Sequence, residues 1–231
     1  MKIMFKKKIF TSLISIFILI YFFNISHSNP ITAWDKASPS VVSVLPTWPG
    51  FKKPGFGAPP GTAPEGTGIV ISSLGHILTA SHVVKRAKLL EIRDINGNKF
   101  NAKLILDDPN TDLAIIKAEI DITPINISKD KPKIASSACL ISNSFGLDLG
   151  ITCGVVSAIG RKNTGFNKIE NFIQTDAAAN PGSSGGALVN KNGELIGMMS
   201  GIFTKNTDTN SGVNFAVSSE LILKIIPFAI N

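Results

Sequence analysis

Short apolar runs broken by Gly, Pro, Asn and Asp dominate this chain. SVVSVL (40–45), GTGIVIS (66–72) and HILTAS (76–81) each read as a strand bounded by turn residues. KLLEIRDINGNKFNAKLIL (88–106) has apolar positions on both sides of Asn96-Gly97, the dipeptide preferred in a type I′ turn, and reads as a hairpin. LAIIKAE (113–119) makes a sixth strand. The stretch PTWPGFKKPGFGAPPGTAPEG (46–66) reads as a long loop, because proline fixes φ and removes donors. Residues 120–133 are polar, contain Pro124 and Pro132, and read as a linker. A second set of runs follows: ACLIS (138–142), GITCGVVSAI (150–159), NFIQTD (171–176), GGALVN (185–190), ELIGMMSGI (194–202) and VNFAVS (213–218), with a tight turn at Asn192-Gly193. SSELILKIIPFAI (218–230) has helical spacing behind a serine N-cap. No βαβ repetition is present. The pattern predicts an all-β protein of two six-stranded antiparallel barrels. The first spans about 38–119 and the second about 134–217, with a short C-terminal helix over about 219–230.

Composition changes this picture at one end. The chain has 231 residues, 44% of them hydrophobic, enough for two small cores. The formal charge of +7 owes four positives to Lys2, Lys6, Lys7 and Lys8. Without them no basic footprint for nucleic acid remains. Those lysines precede an uncharged stretch, IFTSLISIFILIYFF (9–23), and the small residues Ser26 and Ser28 stand before Asn29. At ~1.5 Å per residue the stretch spans roughly 22 Å as a helix, short of a ~30 Å hydrocarbon core. Residues 1–28 therefore read as a cleaved signal peptide or an uncleaved N-terminal membrane anchor. Either places the rest, 29–231, outside the cytoplasm, because the lysines stay inside. The two cysteines, Cys139 and Cys153, suit either a disulfide in an oxidising compartment or two buried thiols.

The candidate chemistry sits in TDAAANPGSSGGALVN (175–190). Glycines around Ser183 and Ser184 permit positive φ and allow successive N–H groups to share one concavity. Gly182-Ser183-Ser184-Gly185-Gly186 also reads as G-x-S-x-G, the nucleophile elbow of α/β-hydrolases. An elbow serine precedes its acid and its histidine, whereas all three histidines here, His27, His76 and His82, precede Ser184. The order His82, Asp112, Ser184 is that of chymotrypsin-type proteases. By themselves, His82 is a polar residue at a strand end, His76 a surface residue, and Asp112 in DDPNTDLAIIK (107–117) a turn carboxylate.

These residues and their order resemble the HtrA/Deg branch of the trypsin-like serine proteases over about residues 31–220. SPSVVSV, GTGIVIS, ILTASHVV, TDLAIIK, FGLDLGITCGVVSAIGR, NFIQTDAAANPGSSGGALVN and NGELIG all resemble family segments, in order. The resemblance implies that Ser184 is the nucleophile, His82 the base and acid, and Asp112 the group that holds the imidazole tautomer. It places the N–H groups of Gly182, Ser183 and Ser184 in an oxyanion hole and the Ser200 hydroxyl behind Asp112. Ala178, Ala179, Ile202 and Phe203 map to the substrate pocket. Ala178 stands where proteases cutting after Lys or Arg carry Asp, so small or medium apolar residues are expected before the scissile bond. Substrate is expected to lie extended along residues 200–202. No metal or cofactor is implied. A homotrimer is common in the family, and Trp34 is a candidate contact for one.

The sequence departs from the family in named places. Ser183 replaces the usual Asn, where only the backbone is expected to matter. Ser142-Asn143-Ser144-Phe145-Gly146 replaces the usual G-N-P-F-G, and Cys153 takes the place of a small hydroxyl residue. The resemblance covers the protease domain and includes no PDZ domain. It implies an exported serine endopeptidase, periplasmic or anchored in the inner membrane facing the periplasm, that degrades unfolded or damaged proteins. Two alternatives stand beside it: a membrane-anchored regulatory protease making one specific cut, and a chaperone-like binding protein with little proteolysis.

Overall fold

The computed structural model describes residues 30–48, 65–202 and 211–230. The leader (1–28), most of the Pro/Gly-rich loop and Phe203 lie outside the described residues. Twelve strands form two closed antiparallel barrels. The first holds β1 (Val41–Thr47), β2 (Gly66–Val70), β3 (His76–Ala80), β4 (Leu89–Arg93), β5 (Lys99–Asp108) and β6 (Leu113–Ala118), in the order β1-β2-β3-β6-β5-β4. The second holds β7 (Ser137–Ser142), β8 (Gly150–Arg161), β9 (Phe172–Thr175), β10 (Ala187–Val189), β11 (Leu195–Ile202) and β12 (Asn214–Ser218), in the order β10-β11-β12-β9-β8-β7. Taken strand for strand, the two barrels share one cyclic order. Closure leaves neither sheet with an edge along its full length.

The burial pattern explains why alternation is clear in some strands and lost in others. β5 is mostly exposed or half-buried along its length. β2, β3, β10 and β12 are buried throughout. One apolar cluster joins residues of both barrels, from Val41, Ile69 and Leu78 to Met198, Phe215 and Val217. A strand between a barrel interior and the neighbouring barrel has no polar face to show, and its sequence reads as an apolar run.

Residues 120–133 run across both barrels as a strap. Ile125 N–H donates to Val70 O at 2.9 Å, Ser128 N–H donates to Leu195 O at 2.9 Å, and Leu195 N–H donates to Asn126 O at 2.8 Å. Helix α1 (Pro30–Ala37) buries Ala33 and Ala37, and its Lys36 lies close over Gly193. A second helix, α2 (Ser81–Val84), is one turn long. At the C-terminal side, α3 (Ser219–Ile225) is capped by Ser218, whose hydroxyl accepts the Leu221 N–H at 3.3 Å. Pro227 lacks the N–H needed to continue the ladder, and a separate turn, α4 (Pro227–Ile230), follows.

The hairpin tips differ from the sequence expectation. A type I′ turn needs positive φ at both central residues. At the β4–β5 tip Gly97 has φ +87° and Asn96 is not in the positive region. The loop is wider: Asp94 N–H donates to Asn98 O, and the Asp94 carboxylate accepts the N–H groups of Asn96 and Asn98. The β10–β11 tip repeats the device. Asn190 Oδ1 accepts the N–H groups of Asn192 and Glu194, and only Gly193 has positive φ. In both, a side chain organises the turn.

Cys139 and Cys153 face each other in the β7–β8 register and form a disulfide, with Cα atoms 4.1 Å apart.

Candidate active site

β3 ends where β6 begins, because the two strands are antiparallel and Ala80 pairs with Leu113. The residues just beyond that pair are therefore neighbours. Ser81 N–H donates to Asp112 O at 3.1 Å. His82 then sits in the single turn of α2, not at the end of a strand as its sequence suggested. Asp112 has φ +60°, a left-handed conformation that costs a non-glycine residue about 1 kcal/mol or more. Its carboxylate collects three donors. The His82 N–H donates to Oδ1 at 3.0 Å, and His82 Nδ1 lies 2.9 Å from both Oδ1 and Oδ2. The Ser200 hydroxyl donates to Oδ2 at 2.6 Å.

Burial of Asp112 pushes its carboxyl up. The hydrogen bond and charge of the His82 ring, the Ser200 hydroxyl and the His82 N–H outweigh that push, so the carboxyl titrates below the ordinary aspartate value. An ionised carboxylate only accepts hydrogen bonds. A neutral imidazole facing it carries its proton on Nδ1, which leaves the lone pair on Nε2. The Asp112 side chain is 10% exposed and that of His82 41%. The imidazole stands between a buried anion and open space.

Ser200 reaches Asp112 because β11 is irregular there. Met199 pairs with Ala216 and Gly201 with Phe215, so the register skips Ser200. A bulge re-aims the side chain of its extra residue. Here it sends a hydroxyl from the second barrel to the carboxylate on the first.

The Ser184 segment is held against β2. Thr67 N–H donates to Ser184 O at 2.9 Å, and Thr67 Oγ1 donates to Gly182 O at 2.8 Å. Thr79 Oγ1 donates to Thr67 O at 2.7 Å, which fixes Thr67 in turn. A methyl on Gly66 would lie 2.7 Å from Val83 and 3.4 Å from Ser184 O. The residue after His82 and the Ser184 backbone therefore flank one glycine. Two glycines in the segment have no substitute. Gly182 has φ +94° and Gly185 φ +84°, and a Cβ on either would collide with the carbonyl of Asn143 or Thr67, respectively.

The N–H groups divide unevenly. Ser183 N–H donates to Asn180 O at 2.8 Å and is committed within its own turn. The resemblance had placed this N–H in an oxyanion hole; here it is engaged with Asn180 O. The N–H groups of Gly182 and Ser184 have no acceptor among the described residues. The Ser183 side chain carries more than expected as well. It is fully buried, accepts the Asn180 N–H at 3.1 Å, and meets the hydroxyls of Ser142 at 3.0 Å and Ser144 at 2.9 Å. The three serines that set this sequence apart from the family pattern meet in one cluster. Phe145 N–H also donates to Pro181 O at 2.6 Å, tying the same two segments together.

Ala178 O accepts the Thr152 hydroxyl at 2.6 Å, and Ala178 is half-buried. Ala179 is fully buried among Leu140, Ile173, Met199 and Ala216, so its methyl belongs to the barrel core. Ile202 ends β11, and Phe203 lies outside the described residues. His76 is 7% exposed rather than on the surface, and its Nδ1 lies 2.7 Å from Ser72 Oγ. Burial and the nearby Lys117 charge push its titration down. The roles of Thr67, Glu170 and Phe166 were not anticipated from the sequence: Thr67 lies in GTGIVIS and the other two in no motif. Among the described residues no group of His, Cys, Asp and Glu is placed to hold a metal ion.

A twin-barrel fold with a His–Asp pair on one barrel and a glycine-framed serine on the other defines a class. The profile of the trypsin-like peptidase domain matches residues 66–198, and the chain belongs to that family, in its HtrA/Deg branch. It is 40% identical over 161 residues to the periplasmic serine endoprotease DegP of Salmonella typhimurium, covering 68% of this chain and 34% of that protein. The same figures hold for DegP of Escherichia coli K12. Among solved structures, the HtrA-type protease AlgW with a tripeptide superposes with a TM-score of 0.79 at 33% identity, over 88% of this chain and 64% of that one. A serine endoprotease from Yersinia pestis gives 0.72 at 33%, over 87% and 66%. The chain thus spans about a third of the length of the curated relatives it matches.

Proposed function

We propose that this chain is an exported serine endopeptidase that cleaves unfolded or extended polypeptides through an acyl-enzyme. The observation that carries the reading is the Asp112 carboxylate, which holds His82 by ring and backbone while Ser200 fixes its second oxygen. In this reading Nε2 takes the proton of Ser184 Oγ as the oxygen attacks the scissile carbonyl. The imidazolium that forms is stabilised by Asp112 and then protonates the leaving amine. The carbonyl oxygen gains negative charge in the tetrahedral intermediate. The free N–H groups of Gly182 and Ser184 would receive it, each worth roughly 2.7–4 kcal/mol. Water then repeats the sequence to release the acid. The mechanism needs an uncharged imidazole, so activity falls as the medium turns acid.

Substrate lies extended along residues 200–202, where β12 takes one edge of β11. On the other edge pairing to β10 ends at Met198, and no strand among the described residues continues it. An incoming peptide can add there by backbone hydrogen bonds. The residue before the scissile bond is small or medium and apolar, since Ala178 offers no carboxylate to a basic side chain. The periplasmic relatives and the lysine-flanked leader together support a site of action outside the cytoplasm. The test is degradation of casein by the chain from Asn29 onward, beside its Ser184→Ala variant. Cleavage by the first alone supports the proposal; equal cleavage by both excludes Ser184.

A further inference from the structure

Gly201 has no side chain, yet the space above it is filled. A Cβ there would lie 2.9 Å from the ring of Phe166. Phe166 comes from the segment between β8 and β9, not from β11. Its ring centroid is 5.5 Å from that of Phe215 and 6.4 Å from that of Phe172. Phe215 and Phe172 are closed in the core, whereas Phe166 is 40% exposed. One side of the ring is packed and the rest is open.

The segment that carries Phe166 is fixed in place. Glu170 accepts the N–H groups of Thr164, Gly165, Phe166 and Asn167, and the Thr164 hydroxyl, on its carboxylate. The segment is also tied to the flank of Asp112. Ile169 N–H donates to Asn110 O at 2.9 Å, and Asn167 Nδ2 donates to Thr111 O at 3.0 Å. Phe166 is therefore held over β11 from the side of the His82–Asp112 pair.

We infer that Phe166 is a specificity-determining residue that forms the wall for the substrate side chain two positions before the scissile bond. The inference rests on the reading of the site as a protease with substrate extended along residues 200–202. An antiparallel peptide whose scissile residue lies opposite Ser200 places the preceding residue opposite Gly201. Directly opposed residues point to the same face of a sheet. The side chain of that preceding residue thus projects to the face where Gly201 has none and Phe166 lies. An aromatic ring exposed there favours an apolar partner and leaves a carboxylate or a bare glycine without compensation. Phe166 in this way does for β11 what a large residue at position 201 would do. A segment outside the strand can then reshape the site without disturbing the backbone edge.

The experiment measures kcat/KM for peptides with valine before the scissile bond and Gly, Ala, Leu, Phe or Asp one position earlier. The wild-type chain is expected to prefer Leu or Phe over Gly and Asp by about tenfold or more. Phe166→Ala should remove most of that preference, lowering kcat/KM for the Leu and Phe peptides far more than for the Gly peptide, and Phe166→Leu should restore part of it. A wild-type enzyme indifferent to this position, or a Phe166→Ala variant that loses all five peptides in equal proportion, would overturn the inference and leave the protease reading intact. Failure to cleave any peptide, together with no labelling of Ser184 by a fluorophosphonate, would overturn both.

Discussion

At the scale of single residues, Asp112 carries the largest consequence. It accepts hydrogen bonds from both the ring and the backbone of His82, and from Ser200. Asp112→Asn keeps the size but presents an amide that can donate to the ring, which favours the wrong tautomer. Turnover is expected to fall roughly 10⁴-fold. Steady-state kinetics on a peptide checks this, and a near-normal variant would remove Asp112 from the mechanism. The depressed carboxyl also links stability to pH. It titrates lower in the folded than in the unfolded chain, so its contribution is present above the unfolded value and is lost as pH falls through the folded one. Ser183 shows how residue and context interact. Beside its backbone, the Ser183 side chain finds hydroxyl partners in Ser142 and Ser144, two other departures from the family pattern.

At the scale of elements, the segment between β8 and β9 is organised by one carboxylate. Burial pushes Glu170 up; hydrogen bonds from the backbone of Thr164 and Asn167, the Thr164 hydroxyl and the Phe166 N–H push it further down, so it titrates below the ordinary glutamate value. The sign follows as for Asp112: the order it lends is present above the unfolded value and disappears as pH falls through the folded one. Amide hydrogen exchange of residues 164–167 should show protection at neutral pH. Glu170→Gln should lose that protection at neutral pH, without acid. Unchanged protection in the variant would show that Glu170 does not organise the segment.

The same scale shows what the sequence displayed and what it hid. Every strand run proposed from apolar spacing became a strand, with ends moved by a few residues. The missing pieces have specific reasons. Helix α1, PITAWDKA, packs through two alanines, which leave little periodic signal. The turn of α2 follows β3 directly, and four residues cannot display a helical period. The bulge at Ser200 depends on pairing partners distant in sequence. The Asx-organised hairpin tips were misread because Asn-Gly alone does not fix loop length. Of the proposed site, His82 and Asp112 were legible by order and spacing and Ser200 only through the family resemblance; in the structure the three form one hydrogen-bonded set. The parts played by Thr67, Glu170 and Phe166 were not, since each acts through a neighbour that only the fold supplies.

At the scale of the whole molecule, two barrels of one topology are joined by a strap and by contacts made at the site itself. Ser200 to Asp112 and Thr67 to Gly182 and Ser184 all cross from one barrel to the other. A loosening of either barrel therefore reaches the chemistry. The Cys139–Cys153 bridge lies within the second barrel, between strands already paired, at a sequence separation of 14. A loop of this size corresponds to about 3 kcal/mol in the chain-entropy account. Reduction should lower the unfolding temperature measured by calorimetry, with both barrels still formed at ambient temperature. An unfolding temperature unmoved by reductant would show that the bridge contributes no net stability.

Ser184 is proposed to attack with the help of His82. The most direct measurement is peptide mapping by mass spectrometry after treatment of the chain from Asn29 onward with a fluorophosphonate. A single adduct on Ser184 is expected, fast in the wild-type chain and nearly absent in His82→Ala. An adduct on Ser183, or equal labelling with and without His82, would contradict it.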